Sequence, residues 1–351
     1  MLPFSEKERT TLLKNRFMSV TPHFPARHVC FPQGCEERRA AFYLAAEEYI
    51  AEQLPEDNYL FAWQLHPTVV MGRNQIAHQE FDLDFCRRER IDICRRKSGG
   101  GAIFADRGNI MFSLITGSSP VEPLFAEYAE MVAASLSRLG APTMVSGRND
   151  VCLQGGGKIC GNAFYHLPGR NIVHGTMLYD TDARLMAGAL TPDKQKLQQR
   201  GVRSVSSRIS LLKDALSFGV DELRTRLCEM LTDRSVQLTA EDVQHIEEKE
   251  AGYHTEDYLY GQTAKASADF GRRIDGVGEL NLHLTVRGSL VEDVKLSGDF
   301  FELSDATALF RQAFIGRPYT HDSLCRAIEE VHPEQAIRRL TAADLIQMLT
   351  C

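Results

Sequence analysis

A single tryptophan stands among 351 residues, no apolar run approaches the ~18 residues that a membrane helix requires, and no two cysteines are spaced as C-x-x-C. The sequence therefore offers neither a membrane helix nor a paired-cysteine zinc site. The first stretch, MLPFSEKERTTLLKNRF, is charged and lacks a long apolar segment, so it does not read as a secretory signal. Nine cysteines, an odd number, lie scattered, which fits free thiols in a reducing compartment and a cytoplasmic location. Also missing are a G-x-S-x-G nucleophile elbow, a metal-ligand cluster, internal repeats and low-complexity tracts. Positive charge is not in excess. The 47 acidic and 40 basic residues leave a net charge of −7, which argues against wholesale nucleic-acid binding. A local basic patch on such a chain points to a small anionic ligand or an acidic protein partner.

What is present has ordinary globular composition, 43% hydrophobic and 25% charged, with length for roughly two domains. Residues 36–54 place Phe42, Ala46, Tyr49 and Ile50 at helical spacing and predict an amphipathic helix. YLFAWQLHP and TVVMG, split by Pro67, read as strands. Residues 102–104 and 110–115 read as a hairpin with ADRGN as its turn, and residues 121–139 as a helix ending near Gly140. A strand-and-turn stretch follows over 143–180, then helices near 182–190 and 220–232. Residues 241–262 are acidic and form the best candidate boundary. Beyond it ELNLHLTV alternates strictly, RGS turns and LVEDVKLSGDF returns, a β-hairpin signal. Helical patterns near 304–313, 320–331 and 341–349 complete a small α+β unit.

Two glycine triplets carry the chemistry. RRKSGGGAIFADRGN (residues 95–109) ends a basic stretch holding Arg87, Arg88, Arg90, Arg95, Arg96 and Lys97 against only Glu89 and Asp92. Glycine runs are most often turns, but exposed backbone N–H groups flanked by guanidinium groups make an anion site. The second triplet, residues 155–157, is followed at once by Lys158. It is not a P-loop: Cys152 stands where the pattern needs its first glycine, and Ile159 where it needs Ser or Thr. Lys158 reads either as a solvated turn residue or as a fixed charge on phosphate or carboxylate oxygens. Asp150 could hold Mg²⁺ or orient Lys158 through an ion pair. Alone, His174 is a core histidine and Thr176 a strand residue. Together these features suit nucleotide or adenylate binding, and the residues alone lead no further than an adenylating or acyl-transferring enzyme.

The two stretches jointly resemble the lipoate–protein ligase family, within the wider biotin and lipoate ligase fold. The resemblance lies in residues 95–109, in Gly147-Arg148-Asn149-Asp150, in Lys158-Ile159-Cys160-Gly161-Asn162-Ala163 and in His174-Gly175-Thr176-Met177-Leu178. Supporting blocks are Val69-Val70-Met71-Gly72-Arg73-Asn74-Gln75 and residues 200–209, and the tail resembles the accessory domain of the long ligases through residues 297–301. It implies an α+β fold, with mixed and antiparallel sheets flanked by helices, in a biotin/lipoate ligase-like catalytic domain over residues 36–250. A small α+β C-terminal domain over 263–351 and an N-terminal extension over 1–35 complete the expected division. The implied activity is ATP-dependent: lipoate becomes lipoyl-AMP, and the lipoyl group passes to a lysine of a lipoyl carrier domain. Such carriers are 2-oxoacid dehydrogenase acyltransferase subunits and the glycine cleavage H protein; neither nucleic acid nor membrane is implied as a partner.

By residue-by-residue matching, the catalytic group is Lys158. Nucleotide and adenylate contacts fall to Arg96, Ser98, Gly99, Gly100, Gly101, Ala102, Ile103, Phe104, Asn109, Asp150, Lys158, His174 and Thr176. The lipoate pocket falls to Val70, Gly72, Arg73, Lys158, Gly161 and Ala163, with Val69 a further wall, and Mg²⁺ to Asp150. Three positions depart from the family pattern: Ala105 where His is usual, Cys160 where Ser is common and Ser206 where a basic residue is common. The nearest alternative is an ATP-independent lipoyl or octanoyl transferase on the same fold, in which Cys152 or Cys160 would carry a thioester. A biotin ligase fits less well, because Gly72-Arg73-Asn74-Gln75 stands in place of a GRGRxG loop. A non-catalytic lipoyl-binding protein would explain Ala105 and Ser206, and the intact Lys158 argues against it.

Overall fold

The computed structural model describes residues 26–35, 37–75, 77–147, 150–190, 209–260, 268–287 and 290–349. Its largest element is an eight-stranded mixed sheet. In chain order its strands are β1 (Ala26–Cys30), β2 (Tyr59–Trp63), β6 (Asn109–Gly117), β7 (Thr143–Ser146), β8 (Asp150–Leu153), β9 (Lys158–Leu167), β10 (Arg170–Leu178) and β11 (Thr232–Gln237). The spatial order is β11-β1-β2-β6-β10-β9-β8-β7; β1 is parallel to both neighbours and every other pairing is antiparallel. A smaller sheet orders β4 (Asp92–Arg95), β3 (Thr68–Met71) and β5 (Ile103–Ala105), with β3 parallel to β4 and antiparallel to β5.

Period-two alternation along β6 sends Ile110, Phe112 and Leu114 to one face and Met111, Ser113 and Ile115 to the other. The first face packs on α3 (Val121–Arg138) and α5 (Val220–Leu231), through Leu124, Phe125, Tyr128, Leu223 and Leu227. The second packs on α1 (Ala40–Gln53) and, beyond it, α6 (Ala240–Glu250). Each Leu, Ile or Phe so buried contributes about 1.5–3 kcal/mol. The short α2 (Leu83–Arg88) and α4 (Ala183–Ala189) pack on the smaller sheet through Cys86, Met186 and Ala189, each capped by an aspartate, Asp82 and Asp182.

Two sequence expectations change. Helix α1 is not amphipathic: Ala40 to Ala51 are all buried, Glu47 and Glu48 included, because the sheet covers one side and α6 the other. The acidic stretch read as the candidate boundary is helical over Ala240–Glu250, with Ile246 in the core and Lys249 paired to Glu52 on α1 at 2.6 Å. Residues 102–104 and 110–115 do not form a hairpin, since β5 and β6 belong to different sheets. The turn between them is pinned from outside. Asp106 accepts the Gly108 and Asp182 amides at 2.8 and 2.7 Å, and a Cβ on Gly108 would collide with the Asp180 carbonyl. Anchored to residues 180–182, the turn diverts the two strands.

The C-terminal unit is a meander of β12 (Ala268–Ile274), β13 (Gly278–Arg287) and β14 (Leu290–Gly298), packed on α7 (Ala306–Phe314), α8 (His321–Val331) and α9 (Ala342–Met348). Leu280, Leu282 and Leu284 are fully buried, as the alternation of ELNLHLTV predicts. Of its RGS turn, Gly288 and Ser289 lie outside the described residues, as do residues 1–25, Arg148, Asn149 and most of the supporting block, including Ser206. Thr320 and Thr341 cap α8 and α9, the latter in a capping box with Asp344.

Candidate active site

A cavity of about 1010 Å³ opens where the smaller sheet, β9, β10 and the C-terminal unit meet. Of the residues expected at the site, Arg96, Gly100, Gly101, Ala102, Ile103 and Phe104 line it from the first glycine segment, and Val70 from β3. Asp150, Lys158, Gly161, Ala163, His174 and Thr176 line it from β8, β9 and β10. Ser98, Gly99, Asn109, Gly72 and Arg73 do not line it. Asn109 is fully buried under the pinned turn, where its side-chain oxygen accepts the Asp106 amide at 3.0 Å.

The two arginines ahead of the glycines support the backbone. Arg95 donates to the carbonyls of Gly72, Arg73, Gln75 and Leu259. Arg96 donates to the carbonyls of Val70, Gly99 and Gly101 and to the Ser98 hydroxyl, at 2.7–3.1 Å. Burial lowers the Arg96 guanidinium to about 10, so it stays protonated at neutral pH. Arg96 thus braces the glycine segment, with most of its donors engaged before any ligand arrives, and Arg95 braces the 72–75 turn beside it.

The glycines themselves are demanded by neighbours. A Cβ on Gly99 would collide with the Phe300 carbonyl oxygen, and one on Gly72 with the Gly100 carbonyl oxygen. Gly100 has φ +86°, and its N–H donates to the Phe300 carbonyl at 2.9 Å. The C-terminal unit is therefore docked on the glycine segment. Further contacts hold it there: the Gly298 amide donates to Asn74 at 2.9 Å, and Arg73 reaches Glu302 at 3.0 Å. Phe301 stacks with Phe164, centroids 5.6 Å apart.

Behind the cavity runs a buried polar chain. β10 sets His174 beside Ser113 of β6, and α1 places Glu47 over both. Arg96 Nε donates to Ser98 Oγ at 2.9 Å, Ser98 lies 2.7 Å from His174 Nε2, and His174 Nδ1 lies 2.9 Å from Glu47. Trp63 Nε1 donates to Ser113, which donates to Glu47 at 2.5 Å. His174, in contact with Ser98 through Nε2 and with Glu47 through Nδ1, thus links Arg96 to a buried carboxyl group. The sequence reading missed Glu47; two adjacent glutamates inside an otherwise apolar helix were the available signal. It also missed the cavity walls Leu44, Trp63 and Met111, which read only as core.

At the polar wall, Lys158 Nζ lies 2.8 Å from Asp150 Oδ1, with both side chains about one-third exposed. That carboxylate oxygen makes no hydrogen bond of acceptable geometry among the described residues. Cys160 is buried and its thiol is pushed up to about 12; burial also raises Cys152. Neither is disposed to be a thiolate at neutral pH. Ala105 is a buried core residue opposite Thr68 rather than a cavity wall. Among the described residues no group of three or more His, Cys, Asp or Glu could hold a metal ion, and no helix is long and apolar enough to cross a membrane.

Comparison with known proteins gives consistent matches. The family model of the lipoyl protein ligase A/B catalytic domain matches residues 39–232, and that of the bacterial lipoate protein ligase C-terminus matches residues 263–349. A lipoate–protein ligase of Bacillus subtilis is 30% identical over 320 residues, 87% of this chain and 95% of its own. Among solved structures, a Plasmodium falciparum protein in complex with lipoate superposes with a TM-score of 0.74 at 17% identity, covering 92% of this chain and 97% of its own. A bipartite lipoate protein ligase system of Thermoplasma acidophilum, described with its E2 lipoyl domain, gives 0.61 at 26% identity, over 70% of this chain and 100% of its own. A lipoate–protein ligase A bound with ATP gives 0.57 at 24% identity, over 68% of this chain and 100% of its own.

Proposed function

The chain belongs to the lipoyl protein ligase A/B family and is an enzyme of the lipoate–protein ligase kind, and from that premise we propose that it activates lipoate with ATP and passes the lipoyl group to a lysine of a lipoyl carrier domain. In the first step a lipoate carboxylate oxygen attacks the α-phosphorus of ATP, and pyrophosphate leaves with the electron pair of the broken P–O bond. In the second, the carrier lysine amine attacks the acyl carbonyl and AMP departs. The observation that carries this reading is the Lys158–Asp150 pair set into a cavity whose other walls include Val70, Trp63, Met111 and Ala163. Such a cavity suits an acyl chain against the apolar walls and a charged head at the ammonium. Lys158 counters the charge that both steps gather at one place, and Asp150 orients it. The chain through Ser98, His174 and Glu47 holds the glycine segment in register.

Asp150 fits a Mg²⁺ ligand, since Mg²⁺ commonly takes one or two carboxylates together with phosphate oxygens and the Asp150 Oδ1 that faces Lys158 makes no hydrogen bond among the described residues. Bound there, the ion would screen the triphosphate. In this reading residues 36–250 perform the chemistry, 263–351 form the accessory domain and 1–35 an N-terminal extension. The carriers are acyltransferase subunits or an H protein, in the cytoplasm. The deciding experiment is pyrophosphate release from purified protein with ATP and lipoate and no carrier. Lipoate-dependent release supports the ligase; its absence, with lipoate still bound, would favour the carrier-to-carrier transferase.

A further inference from the structure

Every cation that the sequence motifs place at the site comes from the catalytic segment, yet the cavity has a second source. Its described lining contains four basic side chains: Arg96, Lys158, Arg273 and Arg339. Arg96 is engaged by backbone carbonyls and Lys158 by Asp150. The other two belong to the C-terminal unit. Arg273 is next to last in β12, is exposed, and lies 3.5 Å from Asp299, whose carboxylate comes within 3.8 Å of where a Gly101 Cβ would stand. Its guanidinium is therefore two contacts from the glycine segment. Arg339 is also exposed, and among the described residues it has no hydrogen-bond or ion-pair partner. Its backbone sits at φ +61°, a conformation unfavourable for a residue with a Cβ. The preceding Arg338 explains how this is held: it bonds Glu122 at 2.6 Å and lies over the Phe125 ring at 4.9 Å. Pinned on one side, the chain turns Arg339 into the cavity, where its Cδ lies 3.7 Å from where a Gly276 Cβ would stand. An unpaired guanidinium held at a strained position beside a ligand cavity is a binding arrangement looking for an anion.

We propose that Arg273 and Arg339 bind the outer phosphates of the nucleotide and hold the pyrophosphate as it leaves, so that the C-terminal unit completes the triphosphate site. The assignment rests on the ATP-dependent reading above. The α-phosphate remains with Lys158 and the glycine segment, and the arginines act on phosphates that the adenylate no longer carries. They consequently matter to the first step and not to the second.

The test compares Arg273→Ala, Arg339→Ala and Arg339→Gly with the wild type and with Arg326→Ala, an exposed arginine of α8 that does not line the cavity. Each site variant should raise the KM for ATP in lipoate-dependent pyrophosphate release about tenfold, the usual cost of one exposed charge-assisted bond. Transfer from supplied lipoyl-AMP to a carrier domain should stay within about twofold. Arg339→Gly removes the guanidinium and also relieves the left-handed backbone, so a weaker ATP interaction together with a raised thermal midpoint excludes misfolding as the cause. Unchanged ATP kinetics would overturn the proposal. So would a raised KM for the carrier with ATP untouched, which would reassign the arginines to an acidic carrier surface. Calorimetric binding of a non-hydrolysable ATP analogue against AMP, on the same variants, keeps the assignment testable if the wild type releases no pyrophosphate. In that event the functional reading fails, while a loss of affinity confined to the triphosphate still supports the arginines.

Discussion

Substituting each of the three glycines by alanine in turn should give three different outcomes, because each position meets a different neighbour. At Gly99 the new methyl would overlap the Phe300 carbonyl oxygen, with the carbonyl carbon and Phe301 Cα both at 3.2 Å. Those are backbone atoms and cannot rotate aside, so the C-terminal unit must move off the segment. Forced displacement costs about 1–3 kcal/mol, and losing the Gly100-to-Phe300 hydrogen bond about 0.5–1.5 kcal/mol more. Together they amount to about 1.5–4.5 kcal/mol, a fall in Tm of roughly 2–6 °C for a chain of this length. At Gly100 the left-handed φ and the edge of the Phe301 ring at 2.7 Å cost about 1–2 kcal/mol, since that side chain can yield. At Gly101 the nearest atom is Asp299 Oδ2 at 3.8 Å, ordinary contact, so stability should stay within about 0.5 kcal/mol. Thermal unfolding and hydrogen exchange at the Gly100 amide read these effects without reference to catalysis. Equal destabilisation by Gly99→Ala and Gly101→Ala would refute the docking argument.

Lys158→Ala should abolish both half-reactions while shifting Tm by no more than a degree or two, because an ion pair about one-third exposed contributes at most about 1 kcal/mol; normal adenylate formation in this variant would overturn the site assignment. Glu47→Gln should destabilise the fold by about 3–5 kcal/mol, since an amide NH₂ must then face the Ser113 or His174 donors inside the core; a neutral result by chemical denaturation would contradict the buried chain. Iodoacetamide should leave Cys160 unlabelled at pH 8 in the folded protein, with reaction rising only as pH approaches about 12, and mass spectrometry of labelled peptides measures it. Cys152→Ser and Cys160→Ser should each keep ligase turnover within about threefold, and loss of acyl transfer in either would restore the thioester alternative.

Local pattern carried the elements well where burial follows one period. The alternation of ELNLHLTV is decided within a few residues, and the strand is found where the sequence places it. Residues 102–115 were misread as a hairpin because the turn is oriented by Asp180 and Asp182, some seventy residues away, which local spacing does not register. Glu47 illustrates the same limit. Its partners are Ser113, Tyr165 and His174, each on a different strand, so only the folded sheet explains a carboxylate in an apolar helix. The glycine run was legible as a place of close backbone approach. That the approaching group is the carbonyl of Phe300 depends on how the C-terminal unit docks, and no spacing within residues 95–109 encodes it. For the same reason Arg273 and Arg339 fall outside every motif and still line the cavity.

The scarcity of tryptophan has a practical consequence. Trp63 is the chain's one indole, it lines the cavity, and its ring nitrogen donates to Ser113 in the chain that ends at the glycine segment. Its ring also stacks on Tyr43 at 4.7 Å. Emission excited at the red edge of protein absorbance therefore originates from this wall alone. The folded protein carries a built-in optical reporter of what enters the cavity, readable in real time without a label or a substitution.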